Sequence, residues 1–186
     1  MKRLLLISAL FVGFTSLRAQ PAQVILLRHA EKPADEWDVN LSTRGEARAR
    51  ALVSFFTNTP ALLTNGLPVA LFATRPTPHG HSRRTYETLE PLSKELNLPV
   101  ESPYAAKDFY AQAQEILNNH DYAGKTVVVC WVHDYLPEMA EAFGVKPKPP
   151  AWKSKEFDRV WLITFRDKKA SLRNLPQHLL PGDSRR

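Results

Sequence analysis

Apolar positions fall in two rhythms along the chain. Short unbroken runs occur at Val24-Ile25-Leu26-Leu27, Val69-Ala70-Leu71-Phe72-Ala73, Val127-Val128-Val129-Cys130-Trp131 and Val160-Trp161-Leu162-Ile163-Thr164-Phe165. They are of strand length and rich in β-branched residues, the pattern of strands buried on both faces of a parallel sheet. Between them the apolar positions take helical spacing. Ala47, Ala51, Leu52 and Phe55 predict a first helix to about Phe56, opened by Thr43 as N-cap with Glu46 completing a capping box. Leu89, Leu92 and Leu96 mark a second helix starting near Ser82 or Arg83. A third is expected from Lys107 to Asn118, and a fourth from Tyr135 to Phe143 with Gly144 as its stop. Leu98-Pro99-Val100 reads as a short strand or extended link, and Ala170 to Leu172 as a pairing partner for the last strand across Asp167-Lys168. Strands alternating with helices give an α/β fold with a mostly parallel sheet.

The N-terminus breaks this pattern. Met1-Lys2-Arg3 precedes a mostly apolar run from Leu4 to Phe14, then Ser16-Leu17-Arg18-Ala19. A basic start, a short apolar stretch and a small residue at a cut site describe a secretory signal peptide. The run is too short to span a bilayer. Residues 1–19 are therefore expected to be a signal peptide and 20–186 a single domain, exported to the periplasm or beyond. Cleavage removes Lys2, Arg3 and Arg18 and no acid, so the formal net charge drops from +6 to +3. That mild excess suits a small anionic ligand rather than a nucleic-acid backbone, and no Lys/Arg-rich block is present. No membrane association is expected after cleavage, and the sequence does not reveal the oligomeric state. The lone Cys130 cannot form an internal disulfide and reads as a small buried hydrophobe. The tail from Gly182 to Arg186 reads as loose.

The chemistry gathers where strands end. The first stops on Arg28-His29, the second leads into a segment from Arg75 to Arg84, and the strand ending at Trp131 leads to Val132-His133-Asp134. Parallel α/β sheets bind ligands just beyond the carboxyl ends of their strands. Taken alone, Arg28-His29 is equally well a surface charge beside a satisfied strand-end histidine. If the strands are parallel neighbours, the three segments converge. Two histidines with two or more arginines suit phosphoryl transfer. Arginine matches phosphate oxygens in pairs, a neutral imidazole can attack phosphorus, and a second histidine can steady the developing charge. His79-Gly80-His81 has a ligand-pair spacing, but no cysteine or further histidine lies near it, so it reads as loop rather than metal site.

In these segments the chain resembles the histidine phosphatase superfamily, of the phosphoglycerate mutase-like clan (branch 1-type). The matching residues are Leu26-Leu27-Arg28-His29-Ala30-Glu31-Lys32, then Leu41-Ser42-Thr43-Arg44-Gly45, Arg84-Thr85-Tyr86-Glu87-Thr88, and the strand leading to His133. Ala30 stands where glycine is usual. The resemblance implies a three-layer α/β/α sandwich with a mostly parallel central sheet, and an enzyme needing no metal or cofactor. It makes His29 the phosphorylated nucleophile, Arg28 and Arg84 phosphate ligands, and His133 the stabilising histidine. Arg83 is expected to be a solvated helix-start charge. The general acid is expected at Asp134, which can equally be an N-cap, with Asp108 and Glu101 as alternatives. Glu31, Lys32 and Asp108 are expected to contribute to substrate binding. Trp152, Phe157, Asp158 and Trp161 are expected to pack the last strand.

The resulting expectation is an exported phosphatase hydrolysing a small phosphomonoester through phospho-His29. A mutase is disfavoured by the short chain and by export. Two alternatives stand beside it. One is a phosphohistidine protein phosphatase, which the Arg-His-Ala-Glu-Lys form resembles. The other is a non-catalytic phosphate- or sugar-phosphate-binding protein that kept the arginines and lost the acid.

Overall fold

The computed structural model describes residues 20–35, 37–78, 83–167 and 169–184. The signal-peptide segment and the His79-Gly80-His81 pair lie outside them. Six strands form one sheet: β1 (Gln23–Arg28), β2 (Pro68–Ala73), β3 (Val100–Glu101), β4 (Thr126–Trp131), β5 (Arg159–Arg166) and β6 (Lys169–Pro176). Four helices accompany them: α1 (Thr43–Asn58), α2 (Arg83–Leu96), α3 (Phe109–Asn118) and α4 (Leu136–Ala142). The sheet order is β3-β2-β4-β1-β5-β6. The first four strands in that order run parallel, and β5 and β6 add an antiparallel edge.

Alternation along the strands assigns the two faces. Val24, Leu26, Val127 and Val129 pack with Ala113 and Ile116 of α3 and Met139 and Ala140 of α4. Ile25, Leu27, Val128 and Cys130 pack with Leu52 and Phe56 of α1 and Leu89 and Leu92 of α2. The result is the three-layer α/β/α sandwich. β1 and β4 are buried along their whole length, and each fully buried Val, Leu or Phe stabilises the fold by roughly 1.5–3 kcal/mol.

Register positions the chemistry. β1 pairs with β4 so that Arg28 stands opposite Trp131, the last residues of both strands. β4 also pairs with β2, Ala73 opposite Cys130. Three parallel strands therefore end level, and the chain passes from β1 over β4 to reach β2, leaving the crevice where such sheets bind ligands.

Three local expectations change. The N-cap of α1 is Ser42, not Thr43, because the Ser42 hydroxyl accepts from the Gly45 N–H. The fourth helix is shorter than the apolar pattern implied, since His133–Tyr135 winds as a 3₁₀ turn before α4 begins. Asp134 sits inside that turn, so it is not the cap. Finally, the tail through Ser184 is fastened. The Asp183 carboxylate accepts from the Leu179 and Leu180 N–H groups and from Arg44 and Arg48, and the Ser184 N–H donates to Asp158.

Candidate active site

Arg28 and His29 leave β1 buried, only 3% and 6% exposed. The His29 N–H continues the sheet ladder to the Trp131 carbonyl at 3.3 Å. Its ring Nδ1 lies 2.7 Å from the Ala30 carbonyl. A carbonyl only accepts, so Nδ1 carries the proton and Nε2 keeps the lone pair. Burial pushes the imidazole down to about 3, and the charges of Arg28 and Arg84 and the His133 ring act the same way against the pull of the Ala30 bond. At neutral pH His29 is therefore an uncharged base with Nε2 as its only basic nitrogen.

Arg28 is held from the opposite side. Its Nη1 donates to the Ser154 carbonyl at 2.5 Å, and its guanidinium lies 4.0 Å above the centre of the Phe157 ring. The same ring stands 6.0 Å from the His29 ring. Burial lowers the Arg28 pKa to about 10, and Arg84 presses the same way while Asp134 and Glu31 oppose. Its Nε is buried without a hydrogen-bond partner. Arg84 is 7% exposed, with Nε donating to the Asn40 carbonyl at 3.0 Å and Nη2 to the Asp38 carbonyl. Two buried guanidiniums acting on one imidazole form a seat for an anion.

Both α1 and α2 brace the turn that follows His29. The Ala30 N–H donates to the Thr88 hydroxyl at 2.9 Å, and that hydroxyl donates to the Arg84 carbonyl at 2.6 Å. This explains the four-residue spacing of Arg84 and Thr88: one helical turn links the Arg84 backbone to Ala30, the residue after His29. The Ser42 N–H and hydroxyl both donate to the Glu31 carbonyl. Gly45 comes so close that a Cβ there would lie 2.3 Å from that carbonyl oxygen.

His133 joins the group from β4. Burial, with Arg28 and Lys32, lowers its pKa against the pull of Asp134. Its Nε2 is 3.4 Å from the Asp134 carboxylate, which is 71% exposed. Lys32 thus lies close enough to act on His133, as a pocket-side cation.

Other expected members stand elsewhere. Both Glu31 carboxylate oxygens accept from guanidiniums, Oε1 from Arg44 and Arg48 and Oε2 from Arg48, at 2.8–3.0 Å. Arg75 is exposed and holds the Pro103 and Tyr104 carbonyls through its side chain and N–H. Arg83 is the expected surface charge, paired with Glu87 at 3.5 Å. Asp108 opens α3 next to Phe109, whose ring stacks on Tyr135 at 5.5 Å. It therefore borders the same edge, while the charged groups acting on the two imidazoles are Arg28, Arg84 and His133 at His29 and Arg28, Asp134 and Lys32 at His133. Glu101 is level with Phe72 on β3, two strands from β4 and below the strand ends. Cys130 is fully buried, and burial pushes its thiol up, away from reactivity.

Phe157 departs from its expected part in strand packing: it lies beneath Arg28 and His29, whereas Trp152 and Trp161 do pack together at 4.7 Å. Phe157 and the Ser154 carbonyl come from a connector with no motif. The only hint in the sequence is an aromatic residue beside an otherwise polar 153–158 stretch.

No protein-family model matches the chain, and no curated protein matches it. Solved structures do. One is an Escherichia coli K-12 protein described as a candidate alpha-ribazole-5'-phosphate phosphatase, with TM-score 0.53 and 14% identity over 83% of this chain and 96% of that one. The alpha-ribazole phosphatase of Shigella flexneri gives TM-score 0.51 and 14% identity over 83% and 96%. A mycobacterial glucosyl-3-phosphoglycerate phosphatase, solved with inorganic phosphate, gives 0.50 and 13% over 82% and 95%. These neighbours belong to the phosphoglycerate mutase-like histidine phosphatase superfamily. The fold of this chain is their phosphoglycerate mutase-like fold.

Proposed function

We propose that this chain is a histidine phosphatase that hydrolyses a small phosphomonoester through a phosphohistidine on His29. The observation that supports this most is the protonation of His29. Its Nδ1 proton is committed to the Ala30 carbonyl, so Nε2 can attack without first losing a proton. Arg28 and Arg84 hold the phosphoryl oxygens. His133 stabilises the equatorial charge that builds on the phosphorus in transit.

In the first step the His29 Nε2 lone pair forms the N–P bond as the ester P–O bond breaks. Asp134 gives its proton to the departing alkoxide. In the second step Asp134 takes a proton from water, whose oxygen attacks phosphorus; the N–P bond breaks and inorganic phosphate leaves. Asp134 is preferred to Asp108 and Glu101 because its carboxylate stands 3.4 Å from His133 and acts on Arg28.

Export is part of the same proposal and is supported by the pattern of residues 1–19 alone. The mechanism is tested with p-nitrophenyl phosphate. Wild type is expected to turn it over, and His29→Ala to lose at least about a thousand-fold in kcat. Phosphate binding without turnover in wild type would instead favour the non-catalytic binding protein.

A further inference from the structure

Both proposed phosphate ligands give several donors to backbone carbonyls. Arg84 donates from Nε to Asn40 and from Nη2 to Asp38. Arg28 donates from Nη1 to the Ser154 carbonyl at 2.5 Å and, more weakly, to the Lys153 carbonyl at 3.5 Å, and its Nε is buried. Among the described residues no acceptor meets Arg28 Nη2 or Arg84 Nη1, so one terminal nitrogen of each remains for an anion. A guanidinium donates within its own plane. An oxyanion on Nη2 must therefore arrive edge-on, and the orientation of that plane decides whether it also faces His29.

A bond at Nη1 alone leaves the plane free to swing. The half-buried Phe157 ring supplies the missing constraint. Its centre lies 4.0 Å from the guanidinium carbon of Arg28 and 6.0 Å from the His29 ring. The negative face of an aromatic ring attracts a guanidinium laid over it, more strongly where water is excluded. Phe157 is itself fixed on both sides. The Glu156 carbonyl accepts from the Trp152 indole N–H at 2.8 Å, and the Asp158 carbonyl accepts from the Gln177 N–H at 2.8 Å. Trp152 in turn packs on Trp161 of β5. The connector between α4 and β5 thus offers a held ring and a held carbonyl to the same guanidinium.

We propose that Phe157 is a positioning residue of the phosphoryl seat: its ring sets the plane of the Arg28 guanidinium beside His29, so that Nη2 meets the anion edge-on. The proposal rests on Arg28 as a phosphate ligand and adds to that seat a residue outside every motif in the chain. Phe157 acts through Arg28 and does not itself touch the phosphoryl group.

The test measures inorganic phosphate binding by calorimetry, with urea midpoints to show that each variant is folded. Phe157→Leu keeps apolar bulk and removes the aromatic face, and it is expected to weaken phosphate about fivefold or more. Phe157→Met is read in parallel, so that one misfolded variant does not decide the matter. Phe157→Tyr keeps the face and is expected to stay within about twofold of wild type. A cycle with Arg28→Lys separates orientation from packing. Lysine keeps the charge but has no plane to orient, so in that background Phe157→Leu is expected to cost less than about twofold. Unchanged phosphate affinity in Phe157→Leu, an equal loss in Phe157→Tyr, or the same loss with Arg28→Lys as with wild type overturns the proposal. Absence of p-nitrophenyl phosphate turnover by wild type counts against the phosphatase reading alone, since the phosphate series still reads the seat. Absence of phosphate binding by wild type overturns the seat and the role of Phe157 with it.

Discussion

At the scale of single residues, the central fact is that His29 is buried, neutral and oriented by one hydrogen bond to its own neighbour's carbonyl. Arg28-His29 was legible as a candidate only together with the other strand ends and the ordered motifs, because alone the dipeptide reads equally well as a surface charge beside a satisfied histidine. Its protonation was not, since that depends on a turn held by Thr88 and Ser42 from two different helices. A stability consequence follows. The folded pKa of about 3 lies below the unfolded value of 6.5, so the unfolded chain binds the proton first. Stability is full above about pH 6.5 and declines as pH falls toward 3, by up to about 1.4 kcal/mol per pH unit for one proton. His133, also shifted down, adds to the same slope. Urea unfolding between pH 7 and pH 4.5 is expected to show this fall. His29→Asn is expected to flatten it, leaving the share due to His133 and the carboxylates.

At the scale of elements, the motifs turn out to be joints. The Leu41-Ser42-Thr43-Arg44-Gly45 segment brings the first turn of α1 onto the Glu31 backbone, and the Arg84–Thr88 turn brings α2 onto Ala30. Those motifs were readable because each joint needs a particular residue type: a short capping hydroxyl, a residue with no Cβ, a hydroxyl one turn after an arginine. The cap was misplaced by one residue, since Ser42 and Thr43 are chemically equivalent and only geometry separates them. Gly45→Ala forces its methyl against the Glu31 carbonyl oxygen, backbone that cannot move without shifting the turn after His29. The expected result is a loss of about 1–3 kcal/mol in chemical denaturation, with a larger fractional drop in kcat than in phosphate affinity. An unchanged midpoint and unchanged kcat would mean that α1 does not fix the turn.

At the scale of the whole molecule, long-range closure was the part the sequence hid. Asp183 and Gln177, near the C-terminus, meet the buried Arg48, which also holds Glu31 two residues after His29. Against the upward push of burial, Arg48 and the Leu180 and Leu179 N–H groups hold the Asp183 carboxyl down at about 2, and these bonds turn a tail that reads as polar and loose into a strap behind the turn after His29. The Ser154 and Phe157 contacts with Arg28 are of the same kind, joining positions more than a hundred residues apart with no local signature. The strand order was likewise implicit: β4 inserting between β1 and β2 is what brings His133 beside Arg28. The proposed function turns on one chemical event, the capture of phosphorus by Nε2 of His29. Rapid quench of the wild-type protein during p-nitrophenyl phosphate turnover, followed by peptide mapping under alkaline conditions that preserve phosphoramidates, tests it directly. The expected result is a phosphoryl group on His29 at Nε2 that forms and decays at rates compatible with turnover. Turnover with no phosphoprotein, or with phosphate on another residue, would contradict it.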